Sequence, residues 1–365
     1  MNTLNYIGCK HTLLEKITEI MESNIPNMGD KTFMDLFAGT GSVGFNMQDH
    51  FKSVSANDLE TYSYIINYAL LCCNYSSKIQ SLIEDCNYLE FVEGLVYKNY
   101  SPNVDCERMF FTSDNAMKCD AIRVFIDEKF EKEEITENEK MFLIASLLVS
   151  IDKVANTSCV YGAYLKEFKK TALKALKMVP IHKRLVGTGL NQVFNKKAED
   201  LVKQEKEGWD VLYLDPPYNQ RQYAANYSPL NYIAEYNSDI GLKGKTGLIE
   251  DYNKSEFCSK VKVRAAFEEL IKNSQCSYLL LSYNNEGLLD LESLKMILRE
   301  KGDTRLYKIK YKRFKSSFKN ESKESDSKET DSKEVDTNSV EEYLWVVDVL
   351  NKKEGAPGSF EEIVY

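Results

Sequence analysis

Four consecutive residues, Asp215-Pro216-Pro217-Tyr218, carry the most specific chemical signal in the chain. They follow the apolar residues 211–214, so they predict a rigid turn at the end of a buried strand. The Asp215 carboxylate and the Pro216 carbonyl can each accept one N–H of an exocyclic amine, which localises the nitrogen lone pair toward an electrophilic methyl group. Tyr218 offers a ring face for stacking a base that has been flipped out of a duplex. This motif therefore predicts methyl transfer to an amino group of a base.

A second motif lies near the N-terminus, where Gly39 and Gly41 directly follow a predicted strand at residues 31–37. Glycine lets the backbone turn sharply and approach a ligand, and the next helix points its N-terminus at that ligand. With Gly44 these glycines also satisfy the Gly-x-Gly-x-x-Gly pattern of dinucleotide sites. The loop alone therefore predicts a nucleoside cofactor and leaves nicotinamide or flavin binding open.

The second predicted strand, residues 54–57, ends beside two acidic residues, Asp58 and Glu60. Nucleoside-binding folds place an acid at this point of the chain, where it accepts hydrogen bonds from ribose hydroxyls. Asp58 is the preferred candidate for this role, and Glu60 competes with it.

The sequence predicts further strands of the sheet that positions these motifs. Residues 277–282 predict another buried strand, and residues 307–312 with 343–349 predict a hairpin near the C-terminus. Strands that end in polar loops at one edge of a sheet build binding sites. Between the second strand and Asp215 the apolar spacing is mostly helical from residue 61 to residue 180, which predicts a helical insertion.

Residues 322–336 contain three tandem copies of Ser-Lys-Glu-x-Asp. Apart from Val335 this tract has no apolar side chain to offset the entropy of ordering it. It predicts a disordered loop within the hairpin, at about residues 318–341. A phosphorylated regulatory segment is the functional alternative.

Composition bounds the class of protein. The 365 residues are 43% hydrophobic, enough for a full core. Nine cysteines include no Cys-x-x-Cys pair and three histidines are scattered, so we expect a reduced protein without a metal site. The longest apolar stretch, residues 141–151, is shorter than a bilayer-spanning helix. We expect a cytoplasmic protein.

The two motifs and their order resemble the adenine-specific DNA methyltransferases of the Dam-like (D12) class, in which the cofactor loop precedes target recognition and the Asp-Pro-Pro-Tyr follows it. Residues 6–10 also look like the N-terminal cofactor motif of that class, although Cys9 replaces its usual small residue. The resemblance implies S-adenosyl-L-methionine as the cofactor and assigns catalysis to residues 215–218. The implied cofactor contacts are Tyr6, Lys10, Asp35, Phe37, Gly39, Gly41 and, for the ribose, Asp58.

Three further segments, at residues 160–166, 282–287 and 312–314, resemble the FokI-type branch of restriction-modification methyltransferases. The acid that would contact the adenine of the cofactor is expected near residues 195–200. Lys197 stands at that place, which leaves Glu199 or Asp200. The target-recognition sequence of GATC methylases is not found, so the resemblance does not imply GATC.

The fold implied by the resemblance is α/β, a Rossmann-like class I methyltransferase sheet with a reversed C-terminal strand and an inserted helical target-recognition domain. Residues 1–70 would form the first part of the catalytic domain, with the cofactor loop. Residues 71–190 would form the mainly helical recognition insertion. Residues 191–365 would complete the catalytic domain.

The net charge of −9 argues against a polyanionic partner, but the distribution of charge matters more than the total. Lysine and arginine cluster at residues 166–184 and again at 308–319, where a solvated surface is the alternative interpretation. Because the resemblance implies double-stranded DNA, the first cluster becomes a candidate for phosphate contacts. The candidate DNA contacts are Lys166, Lys169, Lys170 and Arg221.

The interpretation favoured by the sequence is a site-specific adenine N6 methyltransferase of a restriction-modification system, whose cognate endonuclease acts independently. An amino methyltransferase acting on RNA adenine or on protein glutamine is the nearest alternative. An NAD-dependent oxidoreductase and a DNA-binding module with a vestigial pocket are alternatives of other classes.

Overall fold

The computed structural model describes residues 1–186, 189–312, 339–352 and 357–364. Its main feature is an eight-stranded sheet with helices packed against both faces. The strands of this sheet are β1 (Thr32–Asp35), β2 (Ser53–Asn57), β3 (Gln192–Phe194), β4 (Trp209–Leu214), β7 (Cys276–Asn284), β8 (Asp303–Lys312), β9 (Ser339–Asp348) and β10 (Phe360–Val364). Two short strands, β5 (Leu242–Lys243) and β6 (Leu248–Ile249), form a separate antiparallel pair.

The strand order is β3-β2-β1-β4-β7-β9-β8-β10. Only β9 runs against its neighbours, pairing antiparallel with both β7 and β8, while the other neighbouring pairs are parallel. The expected mostly parallel sheet with a reversed strand is therefore present. Neither β3 nor the parallel edge strand β10 was expected, since each is short and lacks an apolar run.

The central strands are apolar throughout because helices cover both faces of the sheet. In β4, Val211 and Tyr213 pack into the hydrophobic cluster on one face, whereas Leu212 and Leu214 pack into the cluster on the other. Strand β7 divides its side chains between the two clusters in the same way. This alternation of side chains is the period of two that a strand dictates.

Seven helices precede β3: α1 (Leu14–Asn24), α2 (Ser42–Met47), α3 (Thr61–Cys72), α4 (Ser77–Tyr88), α5 (Leu95–Tyr100), α6 (Ser113–Glu131) and α7 (Glu137–Asp152). The later helices are α8 (Ala198–Gln204), α9 (Tyr223–Asn226), α10 (Ser228–Glu235), α11 (Val263–Asn273) and α12 (Leu291–Arg299). Short 3-10 turns occupy Lys10–Leu13, Met28–Asp30 and Glu256–Cys258.

The chain between β2 and β3 is helical only as far as Asp152, so the expectation of helix to about residue 180 is wrong for its last part. Residues 153–186 form turns and irregular backbone, and their buried apolar residues, such as Tyr161, Leu176 and Ile181, are scattered and do not form one continuous helical stripe. Helix α7 is buried continuously from Phe142 to Asp152 and shares one hydrophobic cluster with α3, α6 and a face of the sheet. The assignment of residues 71–190 to target recognition remains a prediction.

Most of the predicted loop at about residues 318–341 lies outside the described residues. Its last three residues, 339–341, belong to the start of β9. All nine cysteines lie in described parts of the chain and are free thiols. The described ranges include no helix that is both long and apolar enough to cross a membrane, and no group of three or more His, Cys, Asp or Glu that could hold a metal ion.

The sheet core makes a testable prediction about stability. Leu280 on β7 is fully buried between β4 and β9. Leu280→Ala should lower the free energy of unfolding by about 2–5 kcal/mol, because it leaves a cavity in the hydrophobic cluster packed on this face of the sheet. The matched control is Leu173→Ala at a residue with 65% of its surface exposed, which should change stability by less than about 0.5 kcal/mol. Urea denaturation midpoints measure both, and equal midpoints would contradict the assigned core.

Candidate active site

A cavity of about 280 Å³ opens at the carboxyl ends of β1, β2 and β4, where the loops of neighbouring parallel strands diverge. It brings together the motifs that are far apart in the sequence. The sequence-predicted residues among its lining are Tyr6, Lys10, Asp35, Phe37, Gly39, Asp58, Asp215, Pro216, Pro217 and Tyr218. Gly41 is not part of the lining, although its neighbours Thr40 and Ser42 are.

The glycine loop turns through two residues with left-handed backbone, Gly39 at φ 50° and Gly41 at φ 74°. A Cβ atom at Gly41 would lie 2.6 Å from Leu70 Cδ1 and 2.7 Å from Asn67 Oδ1, so helix α3 leaves no room for a side chain there. Gly41 therefore serves the turn and the close packing of α3, and its contact with a cofactor stays a prediction.

Gly44, the third glycine of the dinucleotide pattern, lies inside α2 with ordinary helical backbone. A Cβ atom there would meet its nearest neighbours at 3.7 Å, which is normal van der Waals contact. An alanine would fit at this position. The match to Gly-x-Gly-x-x-Gly therefore lacks the close helix packing that requires the third glycine.

The Asp58 carboxylate fixes the glycine loop, because Gly39 N–H donates to Asp58 Oδ2 at 2.8 Å and Glu60 N–H donates to Oδ1 at 2.9 Å. Burial raises the pKa of Asp58. Glu60 accepts a hydrogen bond from Asn231 Nδ2 at 2.6 Å, and burial raises the pKa of Glu60 to about 8. Asp58 is the more exposed of the two acids, which supports the preference for Asp58 as the ribose contact.

Asp35 at the end of β1 is 1% exposed, and its Oδ1 has no hydrogen-bond partner among the described residues. Burial raises the pKa of Asp35 well above its usual range, and the charges of Asp215 and Asp58 raise it further. A buried acceptor without a donor costs free energy. Asp35 therefore suits a ligand that brings a cation or an N–H donor into the cavity.

The Lys10 ammonium lies between two carboxylates, 3.0 Å from Asp215 Oδ1 and 2.8 Å from Glu342 Oε1. Burial alone would lower the pKa of Lys10, but these two negative charges outweigh it and raise that pKa well above its ordinary value. Burial raises the pKa of Asp215 to about 6, opposed by the charge of Lys10 and supported by that of Glu342.

Glu342 was missed in the sequence, although a signal for it exists. It lies on β9 two and four residues before Leu344 and Val346, which are buried against the same face of the sheet. Strand periodicity therefore puts an acid on an otherwise apolar face. An acid in that position is rare without a partner, and here the partner is Lys10.

A group of tyrosines forms one wall of the cavity. The rings of Tyr6 and Tyr227 are stacked with centroids 4.5 Å apart, and Tyr223 lies 5.4 Å from Tyr6. The Tyr227 hydroxyl accepts the Ile7 N–H at 2.9 Å, which ties the N-terminal segment to α10. Tyr218 is half-buried beside this group, and its carbonyl accepts the N–H of Leu288 from the loop after β7.

An apolar part of the lining is formed by Phe257, which packs edge-on against Phe37 at 5.1 Å. No pattern in the sequence indicated Phe257, which comes from a short 3-10 turn. Lys197, Glu199 and Asp200 line the cavity at the start of α8, where the contact to a cofactor adenine was expected.

The basic residues predicted to bind DNA divide into two kinds. Lys166, Lys170 and Arg221 are exposed, whereas Lys169 is half-buried and donates to the Thr157 carbonyl at 2.6 Å. Burial lowers the pKa of Lys169. Lys169 therefore supports the local backbone, and the exposed cations are the better candidates for phosphate contacts.

The basic segment is joined to the wall of the cavity. The Tyr161 N–H donates to the Asn226 carbonyl at 2.7 Å, and its hydroxyl donates to Asp152 Oδ1 at 2.8 Å. Asp152 Oδ2 also accepts the backbone N–H of Asn5 at 2.7 Å. The buried Asp152 carboxylate thus connects three parts of the chain. They are the end of α7, the segment that leads to Lys166, and the N-terminal segment that carries Tyr6.

Comparison with known proteins agrees with this geometry. Residues 6–297 match the family model of the D12 class N6 adenine-specific DNA methyltransferases. The chain is 43% identical over 320 residues to the Type II methyltransferase M.NlaIII of Neisseria lactamica, covering 86% of this chain and 93% of that protein. It is 41% identical over 320 residues to M.CviAII of Paramecium bursaria Chlorella virus 1, covering 87% and 94%.

A third relative, the Type II methyltransferase M.FokI of Planomicrobium okeanokoites, is 38% identical over 340 residues, which are 88% of this chain and 51% of that longer protein. These matches span both motifs and the helices between them. The chain therefore belongs to the D12 class of N6 adenine-specific DNA methyltransferases.

Proposed function

We propose that the cavity binds S-adenosyl-L-methionine and that residues 215–218 direct its methyl group to N6 of an adenine in double-stranded DNA. The observation that carries this proposal is the convergence of the glycine loop and the Asp-Pro-Pro-Tyr turn on one cavity. Family membership supports the reaction type. The first two relatives, which match over nearly their whole length, are both Type II methyltransferases.

The side chains around the cavity fit this cofactor. Asp35 offers a buried acceptor without a hydrogen-bond donor, which suits a positively charged ligand. Asp58 lies at the tip of β2, where ribose hydroxyls are bound in related folds. Phe37 and Phe257 provide apolar surface for an adenine ring. When bound, S-adenosyl-L-methionine supplies an electrophilic methyl group.

Asp215 and the Pro216 carbonyl accept the two N–H groups of the target amine and hold its lone pair toward the methyl group. Methyl transfer from such a cofactor would leave the positive charge on N6, which would then lose one proton. The pKa of Asp215, raised by burial to about 6, leaves it mostly ionised at neutral pH and able to take that proton. Tyr218 stacks on the extrahelical base.

DNA reaches this site only if the target base leaves the duplex, since a buried base atom is otherwise out of reach. Lys166 and Lys170 lie on the segment that is joined to the tyrosine wall, and Arg221 follows the catalytic turn. These exposed cations contact DNA phosphates and position the duplex. The favourable location of a few charges explains how a chain of net charge −9 binds a polyanion.

The other interpretations lack comparable support. RNA adenine, protein glutamine and nicotinamide chemistry have no counterpart in the family model or in the names of the relatives. The geometry at Gly44 also lacks the constraint that a dinucleotide site imposes. We propose that the protein modifies the site of a restriction endonuclease that acts independently of it. Its DNA substrate is the reason to expect it in the cytoplasm.

The catalytic assignment is tested with Asp215→Asn, which should lower the rate of methyl transfer by about 10²–10³-fold, because the amide cannot accept an N–H and a proton as the carboxylate does. Cofactor binding should persist. The measurement is incorporation from labelled S-adenosyl-L-methionine into DNA of diverse sequence, followed by identification of the nucleoside. The matched control is Asp251→Asn at an exposed position. A wild-type protein that forms no N6-methyladenine would overturn the proposed function, and an active Asp215→Asn would overturn the role of Asp215.

The DNA interface is tested with Lys166→Ala and Lys170→Ala. Each should weaken binding to all DNA sequences alike and reduce the slope of log K against log salt by about 0.9, the value for one phosphate contact. Lys272→Ala, exposed on α11 against the opposite face of the sheet, is the control and should leave the slope unchanged. Filter binding or fluorescence anisotropy at several salt concentrations measures the slopes. Identical slopes for all variants would exclude these lysines from the interface.

A further inference from the structure

The buried ammonium of Lys10 has two carboxylate partners, and only one of them belongs to the proposed reaction. Asp215 is the proposed acceptor for the target amine, whereas Glu342 lies on β9, on the far side of Lys10. Glu342 is 3% exposed and accepts a hydrogen bond from the Ser282 hydroxyl at 2.5 Å. The arrangement is fully built and buried, and the chemistry described above does not use Glu342.

The negative charge of Glu342 offsets the positive charge that Lys10 places beside Asp215. A lone lysine ammonium at 3.0 Å would neutralise Asp215, and in a buried site such a pair interacts strongly. A neutralised Asp215 is a weak acceptor and does little for a positive charge arriving on the amine. With Glu342 present, two carboxylates share one ammonium, so the group of three keeps one net negative charge.

The reversed strand is what makes this contact possible. Because β9 runs antiparallel to β7, its first residues lie at the same edge of the sheet as the last residues of β4 and β7. Glu342 stands opposite Asn284 in the register, and Ser282 stands opposite Leu344, so Ser282 and Glu342 are diagonal neighbours. The strand thus delivers a carboxylate to Lys10, which lines the cavity, where a parallel strand would have delivered its other end.

We propose that Glu342 is a positioning residue that holds the Lys10 ammonium and offsets its charge, so that Asp215 remains a strong acceptor for the target amine. This inference rests on the proposed role of Asp215. Glu342 itself does not touch the substrate. It acts on Asp215 by holding Lys10 and through its own negative charge, so its effect should appear in the acidity of Asp215 as well as in the rate.

The groups that face Asp215 determine how its titration responds. Lys10 lies on the N-terminal 3-10 turn, Glu342 on β9, Asp35 on β1 and Tyr213 on β4. Tyr218 belongs to the same turn as Asp215, and Tyr223 follows that turn. Burial raises the pKa values of Tyr213 and Tyr223 well above their usual range, so neither carries charge near pH 6. Asp35 is present in every variant below, so differences between variants report Glu342.

The experiment compares kcat/KM against pH for the wild type and Glu342→Gln. The wild type should lose activity as the pH falls through about 6, the pKa to which burial raises Asp215, because the protonated acid cannot accept the N–H. Glu342→Gln removes a negative charge that raises the pKa of Asp215, so this acid limb should move about one pH unit lower. The plateau rate should fall by about tenfold, since Asp215 becomes a correspondingly weaker acceptor.

Two variants serve as controls. Glu342→Asp keeps the charge, so its acid limb should stay at the wild-type position. Glu341→Gln removes the same charge from the neighbouring residue, whose side chain points to the other face of the strand, and should change neither limb nor plateau. Thermal unfolding checks that each variant is folded. If Glu342→Gln does not fold, Lys10→Gln is compared with the double variant Lys10→Gln/Glu342→Gln, in which the same downward move is expected.

The outcomes separate this inference from the proposed function. A lower plateau with an unmoved acid limb would show that Glu342 is merely structural and would overturn the inference. An equal move in Glu341→Gln would overturn it too, because total charge would then suffice. If Asp215→Asn is inactive while Glu342→Gln keeps the wild-type limb, the inference alone fails. If Asp215→Asn retains activity, the proposed catalytic role fails first.

Discussion

The buried ammonium of Lys10 links three separate segments of the chain at the cavity. Lys10 comes from the N-terminal segment, Asp215 from the end of β4 and Glu342 from the start of β9, and the ammonium is bonded to both acids. Removing a charge from water is costly unless it is paired and hydrogen-bonded, so each of these three chain segments constrains where the other two lie. The N-terminal segment also carries Tyr6, and its attachment through Lys10 brings that ring against Tyr227. The tyrosines along the cavity and the turn at residues 215–218 are therefore both held in place through the Lys10 ammonium.

The direction of the strands determines where Lys10, Asp215 and Glu342 meet. In a parallel sheet the carboxyl ends of all strands meet at one edge, which is why Asp35, Asp58 and Asp215 converge although they are distant in sequence. One reversed strand adds the amino end of β9 to that edge. The helices contribute in a different way, since α7 is buried throughout and its last residue, Asp152, fixes both Asn5 and Tyr161. Buried helices thus connect the exposed basic segment to the cavity.

Local patterns in the sequence were enough to predict most of the central strands. Apolar runs that end in polar loops identified β1, β2, β4 and β7, and alternation of apolar and polar residues identified the hairpin of β8 and β9. Pairing across the sheet could not be predicted in the same way. The role of Glu342 becomes visible only when β9 is placed next to β7, which brings Glu342 to Lys10. The place of Phe257 in the site becomes visible only when its turn packs on Phe37. The lysine-rich residues after Asp152 were expected to be helical because helix spacing precedes them, but their own buried apolar residues are scattered and do not form a helical stripe.

Several acidic side chains lie at the cavity. Asp35, Asp58 and Asp215 line it, and Lys10, which is bonded to Asp215, is also bonded to the buried Glu342. Burial raises the pKa values of Asp35 and Asp58, which means that ionising these acids costs free energy in the folded protein. A positively charged ligand reverses this cost, because its charge favours the ionised acids and its donors satisfy Asp35 Oδ1. A ligand that binds the folded state in this way also stabilises it, so the cost of ionising the buried acids and the affinity for a cation have the same electrostatic origin.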